Sequence, residues 1–265
     1  LDTSLPFTVA FGGSGGSYGG SGGGSGGSTS ASAPAPSGPT YNNQMVTKLL
    51  GGSGGAIGGQ LPLSRFLRHS AIAGRGGSGG GVIEIVAHND LTLHSGGGIS
   101  ANGEQGAAGA AGGGGGAGGT IVLVAGGTIR QESDISVVGG PGGACVASTL
   151  HPSASSASPG SGGGGGRIAL YAQSIYSPSS GNYFVTGGSV GTCIHNIVTA
   201  VTNGLEGSQY VSSLSNVSWY INTEFGALGT SRSLVLAGGE NAESVSGLTK
   251  LTPYQTGMQV EIQQP

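Results

Sequence analysis

The chain has 265 residues, 61 of them glycine, with 7% charged residues and a formal net charge of −3. So few lysines and arginines exclude nucleic acid as a partner, since dense basic charge is needed to displace its counterions. No apolar run approaches the ~20 residues of a bilayer-spanning helix, and charge this sparse is unusual for a soluble monomer. It points to glycan cover on the many Ser and Thr residues, or to packing in an assembly, and either lies outside the cytosol.

Residues 1–78 read as a glycine/serine-rich N-terminal coil and docking segment. A strand-like piece at 6–10 leads into Gly/Ser repeats over 12–27, expected to be mobile. Residues 28–40, STSASAPAPSGPT, are a linker or a surface loop carrying O-glycans. Residues 41–50, YNNQMVTKLL, suit a short helix or an irregular docking segment, and a glycine patch covers 51–59. Residues 60–75 hold Arg65, Arg68, Arg75 and His69. They read as a solvated loop, with an acidic-polysaccharide contact as the alternative.

Three repeats follow in a region over 79–201. The stretches 79–101, 118–137 and 165–185 each open on a glycine run and enter a six-residue apolar segment ending in Ala. Ile83, Ile85 and Ala87 recur as Ile121, Leu123 and Ala125, and again as Ile168, Leu170 and Ala172. Alternation at period two is the strand signature. The intervening Glu84, Val86, Val122, Val124, Ala169 and Tyr171 form the outward set, expected to meet solvent or a partner. Each repeat offers three strands: 82–87, 91–93 and 99–101, then 120–125, 128–130 and 135–138, then 167–172, 174–176 and 183–186. The steps between repeats, 38 and 47 residues, match solenoid units.

The expected fold is all-β: a parallel β-helix-like solenoid with glycine-rich, polyproline II-like loops, followed by a smaller β-rich region over 202–265. A sandwich or barrel of the same short strands is the alternative. Within the repeats the glycine runs are expected to pack as left-handed threefold strands, whose missing side chains permit close backbone contact.

Aligning the second and third repeats sets VGGPGGAC (138–145) over TGGSVGTC (186–193). Equivalent positions in adjacent coils lie ~4.8 Å apart, within the ~4.4–6.8 Å Cα range of a disulfide. A Cys145–Cys193 disulfide is expected, implying an oxidising compartment, with two buried thiols as the alternative. Beyond Cys193, strands are expected at 194–201, 210–214, 217–221, 234–237 and 259–262, with a boundary near 202–207. Asn216-Val217-Ser218 is the one Asn-x-Ser/Thr triplet, so Asn216 is a candidate N-glycan acceptor. Tyr171, Tyr176, Trp219 and Tyr220 are candidate surface contacts that stack on sugars, ordinary packing being the alternative.

Catalytic signals are thin. Gly-x-Ser-x-Gly occurs at 12–16 and 51–55, but poly-Gly/Ser produces it by chance and no strand–elbow–helix context surrounds it. Gly-Lys-Ser/Thr is missing, so there is no P-loop. His88 and His94 read as flanking a solvent-facing turn rather than a metal. Glu132 and Asp134 are the residue types of a glycosidase pair, without a third cue. The calcium nonapeptide repeat does not occur. No enzyme activity, cofactor or metal is expected.

The succession of a glycine run, Val82–Ala87, Leu91-Thr92-Leu93 and then ISANG at 99–103, with GAGGTI at 116–121 and GGGGGRIAL at 162–170, resembles a group of glycine-rich surface proteins of bacteria, plants and protists. A tyrosine-containing segment before a glycine patch, as at 41–59, also fits that group. The resemblance spans residues 10–200, with no further match past Gly188. It implies an extracellular or cell-surface location, a structural or adhesive role, and no catalytic residues. Extracellular filaments such as mastigonemes need subunits of this kind. The expected function is a structural subunit of an extracellular filament, wall or matrix, partnered by copies of itself or by other filament or matrix proteins. The alternative is an adhesin or glycan-binding module.

Overall fold

The computed structural model describes residues 11–24, 38–42, 46, 48–59, 73–145, 158–177, 181–193 and 201–213. These residues are strand-rich and contain no helix. The strands are β1 (Val82–Ala87), β2 (Leu91–Leu93), β3 (Gly98–Ser100), β4 (Thr120–Ala125), β5 (Thr128–Gln131), β6 (Asp134–Ser136), β7 (Arg167–Ala172), β8 (Ser174–Tyr176), β9 (Tyr183–Phe184) and β10 (Ser208–Ser213).

They pair in parallel into three sheets, ordered β1-β4-β7-β10, β2-β5-β8 and β3-β6-β9. Each of the three passes of the chain thus gives one strand to each sheet. The register aligns equivalent residues: Ile83 with Ile121 and Ile168, and Ile85 with Leu123 and Leu170. Leu91 meets Ile129 and Ile175, while Ile99 meets Ile135 and Tyr183. Alternation puts these side chains on one face of their strands, and the three faces close on a common core. Ile121, Leu123, Ile129, Ile135, Ile168 and Leu170 are fully buried there, each burial contributing about 1.5–3 kcal/mol.

The opposite face of the first sheet is not open to solvent. Val122, Val124, Ala169 and Tyr171 form a second buried cluster with Val46, against which Val86 and Tyr210 pack. A sheet covered on both sides reads as a continuous apolar run rather than an alternation, as TIVLVA in β4 does.

The glycine runs build the other half of the fold. In residues 111–119, the amides of Gly112, Gly115 and Gly118 donate to Ser158, Ser161 and Gly164. Those of Gly113, Gly116 and Gly119 donate to Ala107, Glu104 and Ala101, and those of Gly114 and Ala117 to Ala56 and Ser53. These bonds span 2.7 to 3.1 Å. The donor direction turns by a third of a circle at each residue, the screw of a threefold polyproline II strand. The same stretch accepts bonds from Gly13 and Gly16, from Gly74, Gly77 and Gly80, and from Gly140 and Gly143. Six strands therefore enclose one. Residues 160–166 are enclosed in the same way by 13–16, 20–23, 112–118, 137–143, 188–191 and 202–205.

Such spacing leaves no room for a side chain. A Cβ on Gly115 would collide with the Gly140 carbonyl oxygen, and one on Gly163 with that of Gly116. Larger residues sit where a strand turns its third direction outward. Pro141 is the clearest case. Its neighbours Gly139 and Gly140 donate to Thr186 and Gly116, and Gly142 and Gly143 to Ser189 and Gly113. The residue between them needs no N–H, and proline's fixed φ suits the strand.

Several expectations are corrected. Residues 12–24 are not a mobile linker, because Gly13, Gly16, Gly20 and Gly23 donate into the two enclosed strands. The described part of 41–50 forms no helix, and Asn42 and Val46 have positive φ of 65° and 48°. β10 lies in the segment assigned to a separate C-terminal region, yet it pairs in register with β7 as the fourth strand of the first sheet. Strands expected at 6–10, 194–200, 217–221, 234–237 and 259–262 lie outside the described residues.

Gly115→Ala and Gly163→Ala should each cost about 1–3 kcal/mol, the cost of overpacking a filled interior. Gly54→Ala should cost less than about 0.5 kcal/mol, since its Cβ would have only Gly77 O near, at 3.3 Å. Denaturant melts check both values.

Candidate contact surface

The start of the first sheet is held by a buried polar clasp. Tyr18 is fully buried because the glycines beside it let the chain sink into the lattice. Its hydroxyl lies 2.5 Å from Thr120 Oγ1 and accepts from Asn42 Nδ2 at 3.1 Å. Thr120 Oγ1 is 2.5 Å from the Leu50 carbonyl oxygen, to which it donates. Arg167, only 5% exposed, donates to Ser208 Oγ at 2.6 Å and to the carbonyls of Tyr41 and Asn42 at 3.2 and 3.1 Å. Its guanidinium lies 5.6 Å from the centre of the Tyr18 ring, a cation–π contact that offsets part of the burial cost. Burial is also the first cause lowering its pKa. The clasp ties Tyr18, Tyr41, Asn42 and Leu50 to β4, β7 and β10. Its groups bond one another, Arg167 Nε excepted, so its role is architectural.

Tyr171 does not present the contact surface expected of it. It is 9% exposed, and its ring lies 5.8 Å from that of Tyr210. Burial, and then the neighbouring Tyr210, push its phenol up to about 12. The cause is the cover over the first sheet, which strand alternation in the sequence does not reveal.

Tyr176 is open, at 51% exposure. The Arg130 guanidinium stands 5.1 Å from its ring centre because the second sheet pairs Arg130 with Tyr176. Arg130 also forms an ion pair with Glu132. Register alone brings this exposed cation–aromatic–carboxylate group together, and sequence reasoning missed Arg130 for that reason. The two candidate acids have separate partners. Glu132 bonds Arg130, and Asp134 Oδ1 accepts from Asn182 N and Nδ2 at 3.1 and 3.2 Å. Neither is oriented toward a shared substrate position by any bond to the other.

Among the described residues, no group of three His, Cys, Asp or Glu side chains suits a metal, including around His88 and His94. No helix there is long and apolar enough to cross a membrane. Arg65, Arg68, His69, Asn216, Trp219 and Tyr220 lie outside the described residues.

The cysteines stand where the repeat alignment sets them. Cys145 and Cys193 face each other across a parallel bridge at disulfide distance, with Cα atoms 4.8 Å apart.

The two ends of the strand stack expose apolar residues, although β10 also sets Gln209 and Ser213 over Ile168 and Ala172. At the first pass Ile83, Ile85, Ala87 and Leu93 are only partly buried against the core, and at the last pass Ile175, Tyr183 and Val185 likewise. Val211 pairs with Leu170 and continues that column while 47% exposed.

Compared with protein-family models, curated proteins and solved structures, the chain matches none.

Two measurements bear on these assignments. The raised Tyr171 pKa means the fold favours the neutral phenol. Its contribution is complete below pH ~10, the ordinary tyrosine pKa, and is lost as pH rises toward about 12. Tyr171→Phe should flatten the stability loss over that window in melts taken against pH. For the cysteines, iodoacetamide without reductant should label neither thiol of the denatured chain, and prior reduction should expose two.

Proposed function

We propose that the three parallel sheets are the faces of a β-helical solenoid, and that the protein is a structural subunit of an extracellular filament, wall or matrix. The supporting observation is the set of partly buried or exposed apolar residues at the two stack ends. Ile83, Ile85 and Leu93 at one end and Ile175, Tyr183 and Val211 at the other continue the same residue columns. A parallel stack presents unpaired strand edges there, which are templates for further pairing. Adding a second copy with its β1 in register against β10 extends the ladder of the first sheet. The cysteine pair at disulfide distance supports an oxidising, extracytoplasmic setting. The resemblance to glycine-rich surface proteins points the same way.

A second reading, a glycan-binding surface, is favoured by one group. Tyr176 is exposed beside Arg130 and Glu132, combining a stacking ring with charged hydrogen-bonding side chains. In this reading Tyr176→Ala abolishes retention on a glycan array, without effect on assembly.

Negative-stain electron microscopy tests the leading reading. The full chain should form linear polymers, and Val211→Lys, which sets a charge on an open end, should shorten or abolish them. A chain that remains dispersed at high concentration, with glycan retention dependent on Tyr176, would replace the filament reading by the second.

A further inference from the structure

The glycine lattice has one outer strand whose open side carries no charged side chain. In residues 51–59, the amides of Gly52, Gly55 and Gly58 donate to Gly80, Gly77 and Gly74. Those of Ser53, Ala56 and Gly59 donate to Ser17, Ser14 and Phe11. The third direction of the screw carries the amides of Gly54 and Ile57, which have no partner among the described residues. An enclosed strand has six neighbours. This one has three: 73–80, 11–17 and 111–117.

Other outer strands carry polar or charged side chains, or proline, on their outward side. In residues 101–109 the outward positions are Asn102, Gln105 and Ala108. Asn102 turns its side chain back to accept from Val138 N and Ser136 Oγ, both at 2.7 Å, and Glu104 Oε2 accepts from Ser78 N at 3.2 Å. In residues 137–145 the outward place is Pro141, which has no amide to offer. The 51–59 strand has neither a charged side chain nor a proline. Ser53, Gly54, Ala56 and Ile57 are exposed there, Ile57 to 69%, and Leu49 and Leu50 are exposed beside it. Its outward surface is backbone and apolar side chain, without charge.

We infer that this face is a docking edge for a second copy of the chain, whose outer glycine strands extend the hydrogen-bonded lattice across the interface. The occupant is specified by what the edge requires. Only a strand with almost no side chains can come as near as the lattice spacing, and it must offer carbonyls every third residue to Gly54 and Ile57. The chain's own outer strands have that form. The interface is lateral, on the glycine half of the molecule, and so differs from the stack ends proposed above. It does not rest on the filament reading.

Sedimentation velocity on the oxidised full chain in a Val211→Lys background, over about 1–100 μM, isolates the lateral contact from end addition. Gly54→Lys places a charged side chain on the open side, where a Cβ meets only Gly77 O at 3.3 Å, and Ile57→Pro removes one outward amide while keeping the strand. Each should weaken self-association by about tenfold or more, since a lysine must leave water or a hydrogen bond is lost at a dry contact. Gln105→Lys on the 101–109 edge, which already carries the exposed Glu104, should leave it unchanged. All three should melt as the parent does. A parent that sediments as a monomer throughout, or a Gly54→Lys and Ile57→Pro pair that associates like the parent, overturns the inference. A chain with Val211 intact that forms no end-to-end polymers, while lateral association persists, would count against the proposed function alone.

Discussion

Direct backbone-to-backbone contact is the constraint on which the rest of this structure depends. A threefold strand offers its amides in three directions in turn. It can satisfy all of them with neighbours only where no side chain separates the backbones. Residues 111–119 and 160–166 do so, each bonded to six surrounding strands. Ordering a glycine costs more conformational entropy than ordering any other residue. The lattice is therefore stable only because nearly every buried amide finds an acceptor, each bond contributing about 0.5–1.5 kcal/mol net. A single Cβ at Gly115 or Gly163 would separate two strands and strand several amides together.

That lattice organises the β half of the molecule. Each enclosed glycine strand runs directly into a six-residue strand of the first sheet, 111–119 into β4 and 160–166 into β7. The lattice spacing thus sets the height at which each pass begins, and the aligned columns of Ile, Leu and Ala follow. The Tyr18–Thr120–Arg167 clasp sits at the junction, joining both halves. It uses the few large polar side chains that the glycine half admits. Val46 and the tyrosines then cover the outer face of the first sheet, while the stack ends, the Tyr176 group and the 51–59 edge are open surfaces among the described residues.

The places where sequence reasoning fell short share one cause. Gly12–Gly24 resembles any flexible Gly/Ser linker, because composition does not distinguish a free threefold strand from one whose amides are all bonded. Tyr171 occupies an alternating outward position, and nothing in β7 itself says that residue 46 and Tyr210 come to lie over it. Arg130 and Tyr176 are 46 residues apart in the sequence and meet only through sheet register. β10, SQYVSS, carries a weak apolar pattern, so its place beside β7 is decided by pairing more than by its own residues.

By itself the sequence determined the repeat, the strand positions, the inward residue columns and the pairing of Cys145 over Cys193. Each of these follows from local periodicity and from the alignment of one pass on the next. It also carried, unrecognised, the rule that an edge strand such as NGEQGAAG needs glycine at one position in three. Tertiary structure alone decided that the glycine runs form a body of their own, which faces they close, and which are left open. The number of neighbours around a strand is a property of packing in three dimensions, and a run of identical glycines contains no signal of it.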